Sequence, residues 1–370
     1  MTVQPRLSGD SRTDGVIRAL RALPVRAIRG PYRRALRAAA RLKARIRART
    51  LIRYLRRLKP ADAQRTFCGI LLLEHIGDII ACEPVIPWVK RQYPDAFVVW
   101  IVKPQYVELL SAHPDLDAVV TIESLLSIAP IVRSRVFDVA LDLHVNRKPT
   151  DIPSDVHAKT WGDPSITAGN YYQHGTLLHA LTRSAGVSVP PAAPRMHIPR
   201  ETINSIDRLS LPPRFVVIHR TSNVVEKDWS TSEWRTLVNH IIGTSGMHVL
   251  EVGLDASPLL EHPKFMSLCG RLTLLETAEV IRRAAFFIGV DSAPAHMANA
   301  WRRPAMVLFS GAWLGDWSPY DGFFADEGSA QILRPPGLLR EVPASRVIAA
   351  LEASTIWREA SRPSRGVASS

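Results

Sequence analysis

The sequence predicts an α/β protein of two doubly wound, Rossmann-like domains with a central cleft, preceded by a basic helical arm. Three observations predict it. Short β-branched runs alternate with helix-forming stretches, the pattern of right-handed βαβ units on a parallel sheet. The alternation runs twice, on either side of a proline-rich stretch, VSVPPAAPRMHIP at 187–199. Residues 1–59 hold 18 of the 47 Lys and Arg but only Asp10 and Asp14 of the 34 acidic residues, so the formal charge of +13 belongs to the arm. The remaining chain, with 29 basic and 32 acidic side chains, is nearly neutral. The expected boundaries are an arm at 1–64, domains at 65–205 and 206–360, and a disordered tail at 361–370.

Residues 1–16 are polar, with the composition of a disordered segment. Between Pro31 and Lys59 the run RRALRAAARLKARIRARTLIRYLRRLK has strong helix formers and no Pro or Gly. Leu36, Leu42, Ile46, Leu51, Ile52, Leu55 and Leu58 recur at mostly helical spacing among arginines. That is a basic amphipathic helix, suited to an anionic membrane surface. A solvated arm, an organellar transit peptide and a nucleic-acid-binding tail share this composition. The near-neutral body lacks the basic face of a nucleic-acid binder, so no nucleic-acid partner is expected. No apolar run reaches the ~20 residues that span a bilayer. Cys68, Cys82 and Cys269 show no CxxC or His-paired spacing and read as small buried residues in a reducing compartment.

The body begins after Pro60. Strands are expected at 67–73, 97–102, 118–122 and 137–143, with helices from about 78, at 104–112 and at 124–135. The second half restarts at Phe215–His219. A helix at 231–243, strands at 248–252 and 265–269, a helix at 274–285, a strand at 286–290, a helix after Pro294, a strand at 305–309 and a last helix near 344–359 follow. Ligands of open parallel sheets bind beyond the carboxyl ends of strands, which singles out four loops.

EHIGDII at 74–80 ends a buried strand, and Gly77 permits a tight turn before Asp78 opens a helix. A helix cap alone would account for Asp78. At the mouth of a cleft the same carboxylate can take a proton from an attacking hydroxyl, its pKa lowered by the helix N-terminus. HRTSNVVEKDWSTSEW at 219–234 places Thr221, Ser222 and Lys227 after a strand, a set that suits phosphate and equally suits a solvated turn. GVDSAPAHMANA at 289–300 leads through Asp291 and Ser292 into a helix whose first-turn N–H groups can hold an anion, with His296 in reach. LDLHVNRKPTD at 141–151 ends in Arg147 and Lys148, candidates for an anionic acceptor or a solvated basic loop. These loops contain no GxxxxGK[ST], HExxH, GxSxG or GxGxxG, which argues against P-loop, zincin, serine hydrolase and conventional dinucleotide chemistry. Asp115-Leu116-Asp117 has the letters of a metal-binding DxD but sits in a turn before a strand.

In order and together, the loops resemble glycosyltransferase family 9, the bacterial heptosyltransferases of lipopolysaccharide core assembly. EHIGDIIACEPVIPWVKRQYPDAFVVWIV is similar to that family's opening strand–GD–helix–strand unit, and HRTSNVVEKDWSTSEW to its central Lys–Trp segment. LCGRLTLLETAEVIRRAAFFIGVDSAPAHMANAWRRPAMVLFSGAWLGDWSPYD resembles its C-terminal DSxxxH signature. The resemblance covers about residues 67–360, poorly over 144–175 and not the arm. Ala293 and Ala295 stand where Gly and Met are common in the family.

The resemblance implies a GT-B fold and inverting, metal-independent transfer from a nucleotide-diphosphate sugar, ADP-heptose or another, with no cofactor. Asp78 would be the catalytic base, Lys227 would neutralise the donor diphosphate, and Thr221 and Ser222 would line its pocket. Asp291 would orient Lys227 or the donor sugar, and Ser292, Ala293 and His296 would hold the phosphates. The acceptor would be a lipopolysaccharide core or related cell-surface glycan. The location would be cytoplasmic, peripheral to the inner membrane through residues 31–59. A non-catalytic nucleotide-sugar-binding scaffold on the same fold is the alternative. Loss of Asp78 separates the two, and removal of residues 1–59 is expected to leave donor binding intact.

Overall fold

The computed structural model describes residues 29–362 except 63, 151, 153, 154, 255, 256, 258, 313 and 327, with side chains from residue 34 onward. The polar segment 1–16 and residues 363–370 of the expected tail lie outside it; Ser361 ends a helix.

The first lobe runs α1 (Arg29–Leu58), β1 (Phe67–Leu71), α2 (Ile76–Ala81), α3 (Val85–Gln92), β2 (Phe97–Val102), α4 (Glu108–Ser111), β3 (Ala118–Thr121), α5 (Ile128–Arg133), β4 (Val139–Asp142), β5 (Lys148–Pro149), β6 (Val156–His157) and α6 (Leu177–Ser184). The second runs α7 (Arg200–Asp207), β7 (Phe215–His219), α8 (Thr231–Ser245), β8 (His248–Glu251), β9 (Phe265–Ser267), α9 (Leu274–Arg283), β10 (Phe286–Val290), α10 (Ala293–Ala300), β11 (Ala305–Leu308), β12 (Ala330–Leu333), α11 (Ala344–Ala353) and α12 (Thr355–Ser361). The strand orders are β3-β2-β1-β4 and β12-β11-β10-β7-β8-β9, and every pairing in these two sheets is parallel. The central strands FCGIL, FVVIH and FFIGV are buried throughout, as strands covered on both faces must be. This is the two-lobed Rossmann-like architecture the alternation predicts. The expected segments at 104–112 and 124–135 begin as short 3₁₀ turns, and α6, α7 and β12 lie outside the expected elements.

Two local expectations need correction. The helix after β1 starts at Ile76, with His75 as its cap, so Asp78 is its third residue and not its opener. Gly77 does not take a positive φ. Its hydrogen serves a close approach instead, because a Cβ there would stand 2.7 Å from Cδ2 of His296 on α10 of the other lobe. Any side chain at 77 would displace the His296 ring from this contact.

The arm also differs from a free amphipathic helix. Ala48, Leu51, Ile52 and Leu55 of α1 are buried against Phe67, Leu71, Val99, Ile101, Val120 and Phe137. They cover one face of the first sheet, and Arg41–Asp155 (2.9 Å), Lys59–Asp138 (2.6 Å) and Arg47–Glu123 pin the helix edges. Of the apolar residues that defined the expected membrane face, Leu51, Ile52 and Leu55 point into the protein. Leu42 and Ile46 point away and are 58% and 54% exposed. Removal of residues 1–59 would therefore uncover the sheet, so it does not isolate the arm's function. Leu55→Ala should lower unfolding stability by about 2–5 kcal/mol, the cost of a core cavity, while Leu42→Ala changes it by no more than about 0.5 kcal/mol. Denaturant titration of both variants checks this, and equal effects would contradict the docking.

Candidate active site between the lobes

The cleft is built where α2 and α10 meet. On the first lobe, Asp78 is half-buried, and its Oδ2 accepts from the His75 N–H at 3.2 Å. Glu74, at the end of β1, pairs with Lys148 at 2.9 Å. Burial, and next the charge of Glu74, push the Asp78 pKa up, against Lys148 and His75. The expected lowering by the helix end is thus overturned, since desolvation and a neighbouring carboxylate outweigh it. Glu74 also loses solvent, but Lys148 and His144 hold its pKa below the ordinary value. Burial opposes the charge on Lys148, while Glu74 and Asp78 hold its pKa above normal. A base with a raised pKa is stronger, and its activity disappears as pH falls through that value. Lys148→Met removes a cation that favours the Asp78 carboxylate, so the acid limb of the pH–rate profile should move to higher pH. An unmoved limb would dissociate Lys148 from Asp78.

On the second lobe, Lys227 Nζ lies 2.6 Å from Asp291 Oδ2, and the Tyr320 hydroxyl donates to Asp291 Oδ1 at 3.1 Å. His296 packs against Tyr320 with ring centroids 4.7 Å apart. Burial lowers its pKa to about 4, so the ring is neutral at neutral pH. Its Nδ1 is buried with no hydrogen-bond partner among the described residues. Ser292 caps α10 by position, yet its hydroxyl meets His219 Nδ1 at 2.9 Å and the Val290 carbonyl at 3.0 Å. Ala293 and Pro294 then open the helix, with Ala293 half-buried. The contact between Gly77 and His296 joins the two halves, because the first adjoins Asp78 and the second lies within the field of Asp291 and Lys227.

The remaining candidates divide. Lys148 is brought to the cleft. Arg147 is exposed, with φ 56°, and forms no ion pair among the described residues. Thr221 is half-buried at the end of β7, but the Ser222 hydroxyl closes its own turn onto Val224, and its N–H binds Asp228 at 2.6 Å. Asp117 of the DLD segment accepts from Val98 N–H and Lys90, a structural role. The residue no motif flagged is Tyr171, from the poorly matching stretch. Burial, then Asp78, Asp291 and Glu74, raise its pKa, which puts it under charges from both lobes.

Two clusters have metal-ligand composition, Glu83–His113–His197 and Asp142–His144–His157. In each, a ring nitrogen accepts a backbone N–H: His113 Nδ1 from Asp115 (3.1 Å) and His144 Nε2 from Leu73 (2.8 Å). In the neutral ring the other nitrogen then carries the proton, and it faces the carboxylate at 2.9 and 2.7 Å. Asp142 takes further bonds from His157 and Trp161, each 3.0 Å. Burial alone would raise its pKa, but the hydrogen bonds from His144 and His157 hold it far below normal. The arrangement ties the end of β4 to the end of β1, and so steadies the strand end that carries Glu74 and Asp78.

Two facing parallel α/β lobes, with a carboxylate on one and a Lys–Asp pair beside a helix N-terminus on the other, form the scaffold of a GT-B glycosyltransferase. The sequence model of glycosyltransferase family 9 (heptosyltransferase) matches residues 179–322. Lipopolysaccharide heptosyltransferase 3 of Escherichia coli is 24% identical over 330 residues, covering 75% of this chain and 95% of that protein. The glycosyl transferase family 9 structure from Veillonella parvula DSM 2008 shares the fold with a TM-score of 0.59 at 16% identity, over 80% of this chain and 97% of that one. E. coli ADP-heptose lps heptosyltransferase II does so with a TM-score of 0.57 at 15% identity, over 80% and 99%. Over residues 179–322, and more weakly over most of its length, the chain is similar to glycosyltransferase family 9.

Proposed function

We propose that this glycosyltransferase moves a heptose-like sugar from ADP-heptose, or a related nucleotide-diphosphate sugar, to a lipopolysaccharide core or similar cell-surface glycan. Transfer inverts the anomeric centre and needs no metal. Asp78 removes the proton from the acceptor hydroxyl as its oxygen attacks the anomeric carbon. Lys227, held by Asp291, and the N–H groups at the start of α10 meet the charge that develops on the leaving diphosphate. Ser292, Ala293 and His296 border that pocket, Thr221 and Ser222 lie at its edge, and Lys148 sits on the acceptor side. The observation that carries this reading is the direct packing of His296 on Gly77, which joins the base loop to the Lys227–Asp291 pair in one crevice. The donor identity is supported by the ADP-heptose enzyme that shares the fold, and the acceptor by the lipopolysaccharide heptosyltransferase relative.

A binding panel of ADP-, UDP-, GDP- and CDP-sugars against the full chain tests the donor. The expected result is binding of ADP-heptose above the others. Failure to bind any nucleotide sugar would end the proposal.

The enzyme works at the cytoplasmic face of the inner membrane in this reading. The outer side of α1 supports it: Leu42 and Ile46 are exposed, followed by exposed Arg45, Arg49, Arg53, Arg56 and Arg57, none of which forms an ion pair among the described residues. Each cation near an anionic surface contributes about 1 kcal/mol. Changing those five to Gln should abolish salt-sensitive co-sedimentation with anionic vesicles without unfolding the sheet that α1 covers.

A further inference from the structure

Tyr171 lies on the segment between β6 and α6, which is fastened to both lobes. On the first, Ala168 N–H donates to Asn146 (3.0 Å) and Asn146 N–H to Ile166 (2.9 Å). On the second, the Trp317 indole donates to the Gly175 carbonyl (2.6 Å) and Leu177 N–H to Pro319 (3.2 Å), while the Thr176 hydroxyl bonds the Asp321 carboxylate. The Tyr171 ring meets Trp317 edge-on, 5.5 Å between centroids at 84°, and Tyr172 at 5.8 Å and 81°. An aromatic wall therefore stands across the mouth of the cleft, made from both lobes.

The position of the hydroxyl is more informative than the ring. Asp78, Asp291 and Glu74 all act on it electrostatically, and with burial they keep the phenol protonated. Tyr171 is half-buried, and no hydrogen bond joins its hydroxyl to another described residue. A protonated phenol on a segment fastened to both lobes is a hydrogen-bond donor available to a ligand held between them. In an inverting displacement the attacking oxygen and the leaving phosphate oxygen lie on opposite sides of the anomeric carbon. With the base at one end and the diphosphate pair at the other, a group that both Asp78 and Asp291 reach stands beside the sugar between them.

We propose that Tyr171, backed by Trp317, is a specificity residue that touches the sugar being transferred, donating its hydroxyl to a sugar oxygen and closing that flank against water. The proposal rests on the transferase reading. It assigns a sugar contact to a stretch where the resemblance is poor, and it makes Tyr171 a donor and not a second base, because its proton stays on.

Calorimetric titration of the full chain with two probes, ADP and ADP-heptose, tests it. Tyr171→Phe deletes only the hydroxyl. It should weaken ADP-heptose binding about tenfold, the worth of one hydrogen bond of this kind, and leave ADP binding and the melting temperature unchanged. Tyr171→Ala should lose more sugar affinity and raise the rate at which ADP is released from ADP-heptose by water, with no acceptor present. If Tyr171→Phe binds both probes as the wild type does, or loses both equally, the sugar contact is wrong while the transferase reading stands. If the wild-type chain binds neither probe nor any other nucleotide sugar, the transferase reading falls, and this contact falls with it.

Discussion

Asp78→Asn should lower kcat by about 10²–10⁴-fold, the range of a positioned general base, with donor affinity little changed. Asn keeps the shape and can still accept the His75 N–H through its carbonyl, so the helix start survives and only the proton acceptor is lost. The wild-type profile should show an acid limb above the usual carboxylate range, because burial and Glu74 raise the Asp78 pKa. The sign follows directly: the base must be ionised to work, so the rate falls as pH drops through that raised value. The Asn variant should have lost this limb along with its rate. A variant that turns over at the wild-type rate removes Asp78 from the chemistry and favours a scaffold that merely binds.

Lys227→Met should reduce kcat/KM for the donor by about 10²–10³-fold, as expected for loss of a preorganised group facing the leaving charge. It should also destabilise the fold by about 3 kcal/mol. Asp291 would then keep only the Tyr320 hydroxyl, with its side chain 7% exposed. The partial exposure of Lys227, 16%, places the cost at the low end of the range for buried pairs. The double variant Lys227→Met with Asp291→Asn removes the uncompensated charge, so it should recover stability without recovering activity. Steady-state kinetics beside thermal unfolding separates the two effects. Full activity in the single variant would show that the pair is purely structural.

Much of this was legible in the chain. The two parallel sheets follow from the alternation, because a strand buried on both faces writes its own apolar run, as FCGIL and FFIGV do. Asp78, Lys227 and Asp291 stand out as candidates because each follows a strand, where α/β sheets place ligands. Leu51, Ile52 and Leu55, which the sequence places on a membrane-facing stripe, turn inward onto the first sheet. Periodicity shows that Leu51, Ile52 and Leu55 share a face, but it does not say whether protein or lipid covers that face. Tyr171 carried no signal, since it sits in an irregular stretch whose meaning comes from Trp317, nearly 150 positions away.

By itself the sequence determined the lobes, the strand-end loops and the residue types that stand in them, because those depend on backbone preferences and burial patterns spanning about ten residues. Only the tertiary structure decided how those residues behave. The helix end that should acidify Asp78 loses to burial and Glu74; Gly77 serves contact between lobes and not a turn; a tyrosine from between the sheets lies in the field of both acids. Desolvation and charge act through space, so their outcome is settled by groups the chain brings together last.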